Sequence, residues 1–228
     1  MGRKLFEYCE RGFDPGFWAE PLNAITNAAF IIAAAMATMM WLCIPAAERR
    51  WVDAWLLLVL YAIGIGSFLF HTFATVWAAL ADTIPIGIFM VSYLAYVLKR
   101  FFGFGWLITL LGLAVFVVAL WQSSVVRCDG GPCLNGSVAY APAFIALIVL
   151  GSVLSLRGHV AGTSLVAAGL IFAVSLTFRT IDGDLCATTA LPNGHPIGYH
   201  FLWHILNALL LYLLCRAAIK YGGQQAKG

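Results

Sequence analysis

The chain has 228 residues, 62% of them hydrophobic and 10% charged, with a formal net charge of +3. A soluble domain carries roughly a quarter charged residues, so this composition excludes one, and basic residues scattered singly or in pairs exclude a nucleic-acid footprint. A bilayer core about 30 Å thick takes roughly 20 apolar residues per spanning helix, so the length suits an all-α polytopic membrane protein of seven spans with short connections.

The segment before Pro21 is polar and holds Glu7, Glu10, Asp14 and Glu20. It lacks the basic leader and short apolar core of a cleaved signal peptide, and the mature chain is expected to keep it. Its acidic residues read either as a solvated patch or as a calcium site, since calcium takes roughly six to eight oxygens from carboxylates and carbonyls in a flexible loop. Apolar runs bounded by charge, Gly or Pro then predict helices over Leu22–Cys43, Ala54–Phe70, Val76–Leu98, Phe104–Trp121, Val138–Leu156, Val160–Phe178 and Ile197–Ile219. Residues 22–219 thus form the membrane domain, residues 1–21 an N-terminal segment and residues 220–228 a tail that is expected to fray.

Seven spans put the termini on opposite sides. The N-terminal side carries Arg3, Lys4, Arg11, Arg127 and Arg179; the other carries Arg49, Arg50, Lys99, Arg100, Arg157, Arg216, Lys220 and Lys227. The positive-inside rule therefore places the C-terminus in the cytoplasm and the N-terminus on the non-cytoplasmic side. Cys9, Cys128, Cys133 and Cys186 all fall on that N-terminal side, which suits an oxidising compartment. The pair in Cys128-Asp-Gly-Gly-Pro-Cys133 reads as a local disulfide or as a metal knuckle.

Ionisable groups inside spans are costly and mark function. Ser67 and His71 close the second predicted helix four residues apart; Asp82 enters the third about a turn before Pro85; His200 and His204 open the seventh, again on one face. Alternating helix directions bring all five to the N-terminal side. Three imidazoles that leave one position open are a catalytic zinc arrangement, in which the pKa of a bound water falls to roughly 7. His200-Phe-Leu-Trp-His204 lacks the Glu that follows the first His in helical zinc proteases, so the base comes from elsewhere. Asp82 is the one carboxylate predicted inside a span, Asp53 falling just before the second helix, and is the candidate to orient and deprotonate the zinc water, while Ser67 would donate to the oxyanion or to the water. A lone histidine in an apolar helix more often joins two helices by a hydrogen bond, and Gly64-Ile-Gly66-Ser67 also suits close helix packing; three histidines at one depth beside an aspartate favour the metal. His159 and His195 lie in connections and are read as non-ligands.

These residues resemble the alkaline ceramidases, within the wider superfamily of seven-helix hydrolases that includes the adiponectin and progestin receptors. The resemblance rests on Glu7-Tyr8-Cys9-Glu10, Ala19-Glu20-Pro21-Leu22-Asn23 and Thr26-Asn27, on Gly64-Ile-Gly-Ser67-Phe-Leu-Phe-His71 with Asp82 and Pro85, and on Cys186 followed by His200-Phe-Leu-Trp-His204. It implies zinc on His71, His200 and His204, a water held or activated by Asp82, Ser67 near the scissile carbonyl, and hydrolysis of ceramide to sphingosine and a fatty acid. It also implies a disulfide between Cys9 and Cys186, and calcium at Glu7, the Tyr8 carbonyl, Glu10, a position near Gly12, and Glu20. The family usually begins that stretch with Asp and Trp, and offers an Asn where this chain has Gly12.

The expected function is therefore zinc-dependent hydrolysis of the amide bond of ceramide or a related N-acyl lipid, with a lipid substrate reached from the membrane. The alternative is a receptor or signalling protein of the same superfamily that keeps the zinc site with little hydrolysis, although no sizeable soluble domain is present to contact a downstream partner. Retinal would need a Schiff-base lysine inside a span, and every lysine here is terminal or at a helix end. A b-type cytochrome would need opposed histidines on two helices, and a transporter would show repeats and broken helices.

Overall fold

The computed structural model describes residues 2–128, 131–192 and 194–224; residues 225–228 of the expected frayed tail lie outside them. The chain is built from helices because lipid offers no hydrogen-bond partner to an open backbone. Seven of them are long and apolar enough to cross a membrane: α1 (Pro21–Leu42), α2 (Trp51–Phe73), α3 (Val76–Phe101), α4 (Trp106–Ser124), α5 (Cys133–Leu156), α6 (Ala161–Ile181) and α7 (His200–Tyr221). A two-residue antiparallel hairpin pairs Arg127–Cys128 with Gly131–Pro132 before α5.

Each helix packs on its sequence neighbours, and α1 also packs on α7, so the seven close into a ring. The spans of α2 and α7 are the most buried of the seven, and these are the two that carry the histidines. Small residues set the close approaches, as expected where van der Waals packing joins helices in lipid. A Cβ at Gly64 would stand 2.9 Å from Cβ of Phe30, which fixes α1 against α2. A Cβ at Gly66 would overlap the backbone of Ala81 on α3. Pro85, inside α3, leaves the Ala81 carbonyl without its usual i+4 donor, and it is this carbonyl that faces Gly66. The glycine run therefore brings α2 onto α3, and by doing so it sets Ser67 beside Asp82.

Helix boundaries differ from the sequence reading most at the start of α5, Cys133 rather than Val138, and at both ends of α2. Asp53 lies inside its first turn and is buried, with Arg50 at 2.7 Å. Pairing removes the penalty that otherwise keeps a carboxylate out of a span. Asp82 is consequently not the only carboxylate within the helices, but Asp53 sits at the opposite end of the bundle from the histidines. Start of α7 is delayed to His200, since Gly198 adopts a positive φ of 63° just before it.

Both expected disulfides form. Cys9 joins Cys186 across 177 residues with Cα atoms 5.5 Å apart, and Cys128 joins Cys133. The first ties the N-terminal segment to the connection between α6 and α7. That segment also runs antiparallel beside the α2–α3 connection, pairing Lys4 with Thr75.

Candidate active site

His71 ends α2 and His200 and His204 begin α7, so antiparallel packing through α1 brings them to one level. Their ligand nitrogens lie within 4.8 Å of one another, and all three residues are buried. Nε2 of His71 and Nε2 of His204 are 3.0 Å apart. Their outer nitrogens are already engaged: Nδ1 of His71 with Glu20 Oε2 at 2.5 Å, and Nδ1 of His204 with Thr26 Oγ1 at 3.0 Å.

The tautomers follow from those partners. Glu20 is a carboxylate and accepts, so Nδ1 of His71 carries the proton. Thr26 has one hydroxyl proton, directed to the Leu22 carbonyl at 2.8 Å, so Oγ1 accepts from Nδ1–H of His204. Neutral imidazoles of those tautomers turn both Nε2 lone pairs to one point, as the ligands of a shared cation do. In tetrahedral zinc sites, with Zn–N near 2.0–2.1 Å, neighbouring ligand nitrogens are about 3.3 Å apart. A histidine ligand whose other nitrogen is held by a carboxylate or hydroxyl is also the usual outer arrangement of a metal site. His71, His200 and His204 thus fit a divalent cation, and they form the one such group of three among the described residues.

His200 is positioned from its backbone. Its N–H donates to Asp182 Oδ1 at 2.9 Å, as does that of Tyr199 at 2.7 Å, while Asp182 Oδ2 accepts from the N–H of Cys9 at 3.0 Å. Its ring stacks on Tyr8 at 3.8 Å between centroids. Burial pushes the Tyr8 phenol well above its ordinary range, against the opposing charge of Arg179.

A polar cavity of about 150 Å³ opens beside the histidines, lined by Glu7, Ser67, Asp82, Arg179, His200 and His204 among others. Asp82 is 9% exposed and its Oδ1 has no hydrogen-bond partner in the protein. Ile86, Tyr140 and Trp203 line both this cavity and a longer apolar cleft that runs between the helices past Phe89, Phe172 and Leu214. Ser67 and Asp82 thus line the polar cavity together with His200 and His204.

The positions expected around calcium are arranged otherwise. Glu10 accepts the N–H groups of Leu22 and Asn23 at 2.7 and 2.8 Å, capping the first turn of α1; burial raises its carboxyl above the ordinary value, partly offset by those two bonds. Glu20 pairs with Arg11 through Oε1 and with His71 through Oε2. Burial would raise it too, but its hydrogen bonds to His71 and Arg11 and the charge of Arg11 hold it below the usual carboxylate range. Glu7 and Gly12 are exposed, Asp14 is turned onto the N–H of Gly16 at 2.7 Å, and the Tyr8 carbonyl accepts from Gly12 N–H at 3.3 Å. The set does not fit calcium, because its buried carboxylate oxygens already face donors and a guanidinium stands among them. His159 and His195 are outside the histidine group, as expected. What sequence reading missed is the supporting shell of Arg11, Thr26, Arg179 and Asp182; only Thr26 gave a signal, through its place in the Thr26-Asn27 motif.

A direct comparison with curated proteins gives no match. A family model described as Ceramidase matches residues 5–225, a stretch that takes in most of the N-terminal segment, both disulfides, all seven helices and every residue of the cavity. The chain belongs to the Ceramidase family, a family of ceramide hydrolases.

Proposed function

We propose that the protein is a zinc-dependent amidase that hydrolyses ceramide or a related N-acyl lipid, releasing a fatty acid and a sphingoid-type amine. The observation that carries this reading is the buried group of His71, His200 and His204, with Nε2 of His71 and Nε2 of His204 3.0 Å apart, next to a cavity lined by Asp82. Zinc held by His71, His200 and His204 would act as a Lewis acid, polarising the amide carbonyl and acidifying water.

The rest is the work of the chain's own residues. Asp82 takes a proton from the attacking water and delivers it to the departing amine as the C–N bond breaks. Ser67, one turn before His71, donates its hydroxyl to the carbonyl oxygen as negative charge develops there. Glu20 and Thr26 hold the rings of His71 and His204 in orientation and tautomer. The apolar cleft takes a hydrocarbon chain, and the shared lining of Ile86, Tyr140 and Trp203 sets the amide at its polar end. Residues 22–219 act as the membrane hydrolase and residues 1–21 as its cap. The cap, both disulfides and the histidines share one end of the bundle, and together with the distribution of basic residues this supports a site on the non-cytoplasmic side with a cytoplasmic C-terminus.

The test is hydrolysis of a fluorescent ceramide by purified protein, wild type beside His204→Ala, with zinc measured on the same samples. Wild type is expected to hold one zinc and turn over, and the variant to lose both. Zinc without turnover of any lipid amide would instead favour a receptor role.

A further inference from the structure

Arg11 sits in the middle of the acidic segment, and its side chain is fully buried. Its Nε donates to Glu20 Oε1; Nη1 donates to the carbonyls of Asp14 at 3.1 Å and Gly16 at 2.9 Å; Nη2 donates to the carbonyls of His71 at 2.9 Å and Thr72 at 3.4 Å. One carboxylate and four carbonyl oxygens are the kind of shell that a hard divalent cation takes. Here they surround a guanidinium, whose fixed fork of N–H donors satisfies them without a metal.

Two of those carbonyls belong to the last turn of α2, where a helix leaves its final C=O groups without partners and carries partial negative charge. Lys4 Nζ caps the next one, that of Phe73, at 2.7 Å. Arg11 therefore grips His71 twice, once at its main-chain carbonyl and once through Glu20, whose second oxygen orients the ring.

We propose that Arg11 is a built-in cation that stands where a divalent ion would otherwise stand, locks the N-terminal segment onto the end of α2, and serves as a positioning residue for His71, so that this segment works without calcium. The positioning part rests on reading His71 as a metal ligand.

The test uses the full chain in detergent: wild type, Arg11→Gln, Arg11→Ala, Glu20→Gln and the double variant of Arg11→Gln with Glu20→Gln. Zinc affinity is read by chelator competition, and thermal midpoints are read with calcium added or chelated in a zinc-buffered medium. Wild type is expected to show the same midpoint with and without calcium. Arg11→Gln should bind zinc about 10- to 100-fold more weakly, the range for losing an outer-shell partner. The double variant should lose less than the sum of the two single losses, because Arg11 acts partly through Glu20 and partly on the His71 carbonyl directly, and guanidinium ion should restore part of the affinity of Arg11→Ala. A calcium-dependent midpoint in the wild type, an Arg11→Gln protein with wild-type zinc affinity, or strictly additive losses would each overturn the proposal. If Arg11→Gln does not fold, Arg11→Lys, which keeps the charge but offers one nitrogen, carries the same comparison. A wild type that binds no zinc sinks the metal reading alone; the lock is then decided by the midpoints, with calcium insensitivity and a lowered Arg11→Gln midpoint supporting it and calcium sensitivity ending it.

Discussion

At the scale of single residues, the site separates groups that meet substrate from groups that aim them. Asp82 lines the cavity with a free oxygen, so Asp82→Asn should keep zinc yet lower kcat by about 10²- to 10⁴-fold, the usual contribution of a positioned base; steady-state kinetics with metal analysis on one sample separate the two effects, and an active variant would remove Asp82 from the base role. Thr26 bonds His204 and carbonyls of its own helix but does not line the cavity, so Thr26→Val should weaken zinc binding by about tenfold while the loaded enzyme keeps most of its turnover. Equal zinc affinity in the two proteins would show that the Thr26 contact is incidental. The histidines, Asp82 and Ser67 were legible in the sequence because polar side chains inside apolar spans have few bland explanations. Arg11 was not, since a single arginine in a polar segment looks solvated until its five acceptors are brought to it by the fold.

Among the elements, the contact of α2 with α3 decides whether Ser67 and Asp82 share a cavity. A side chain at Gly66 overlaps backbone of Ala81, which unlike the tip of a flexible side chain cannot give way. Gly66→Ala is expected to destabilise the protein by about 1–3 kcal/mol and to lower activity beyond what the lost stability explains. The thermal midpoint beside turnover at a temperature where both proteins remain folded is the measurement; an unshifted midpoint would mean that the helices separate easily there. The seven spans themselves were readable from hydropathy, and the start of α2 was misjudged because Asp53 looks too expensive for a span until Arg50 neutralises it.

For the whole molecule, the N-terminal segment is held by the Cys9–Cys186 disulfide, by Asp182 accepting from the Cys9 N–H, and by Arg11 and Lys4 at the end of α2. A disulfide closing so long a loop contributes about 2–5 kcal/mol, so Cys9→Ser with Cys186→Ser should lower the thermal midpoint markedly, whereas opening the short Cys128–Cys133 loop should matter less. Melting curves of the two double variants compare them directly, and an equal effect would argue that Arg11 and Asp182 hold the segment unaided. The sequence by itself determined the class of fold, the number of spans and the candidate metal ligands, because lipid imposes helix length and composition, and an ionisable group in a span marks function. Only the tertiary structure decided which nitrogens face one another, that Glu20 serves His71, and that Arg11 takes up Glu20 together with four main-chain carbonyls. Those outcomes depend on contacts between segments more than fifty residues apart, and a hydrogen bond across such a distance leaves no periodicity or spacing in the chain.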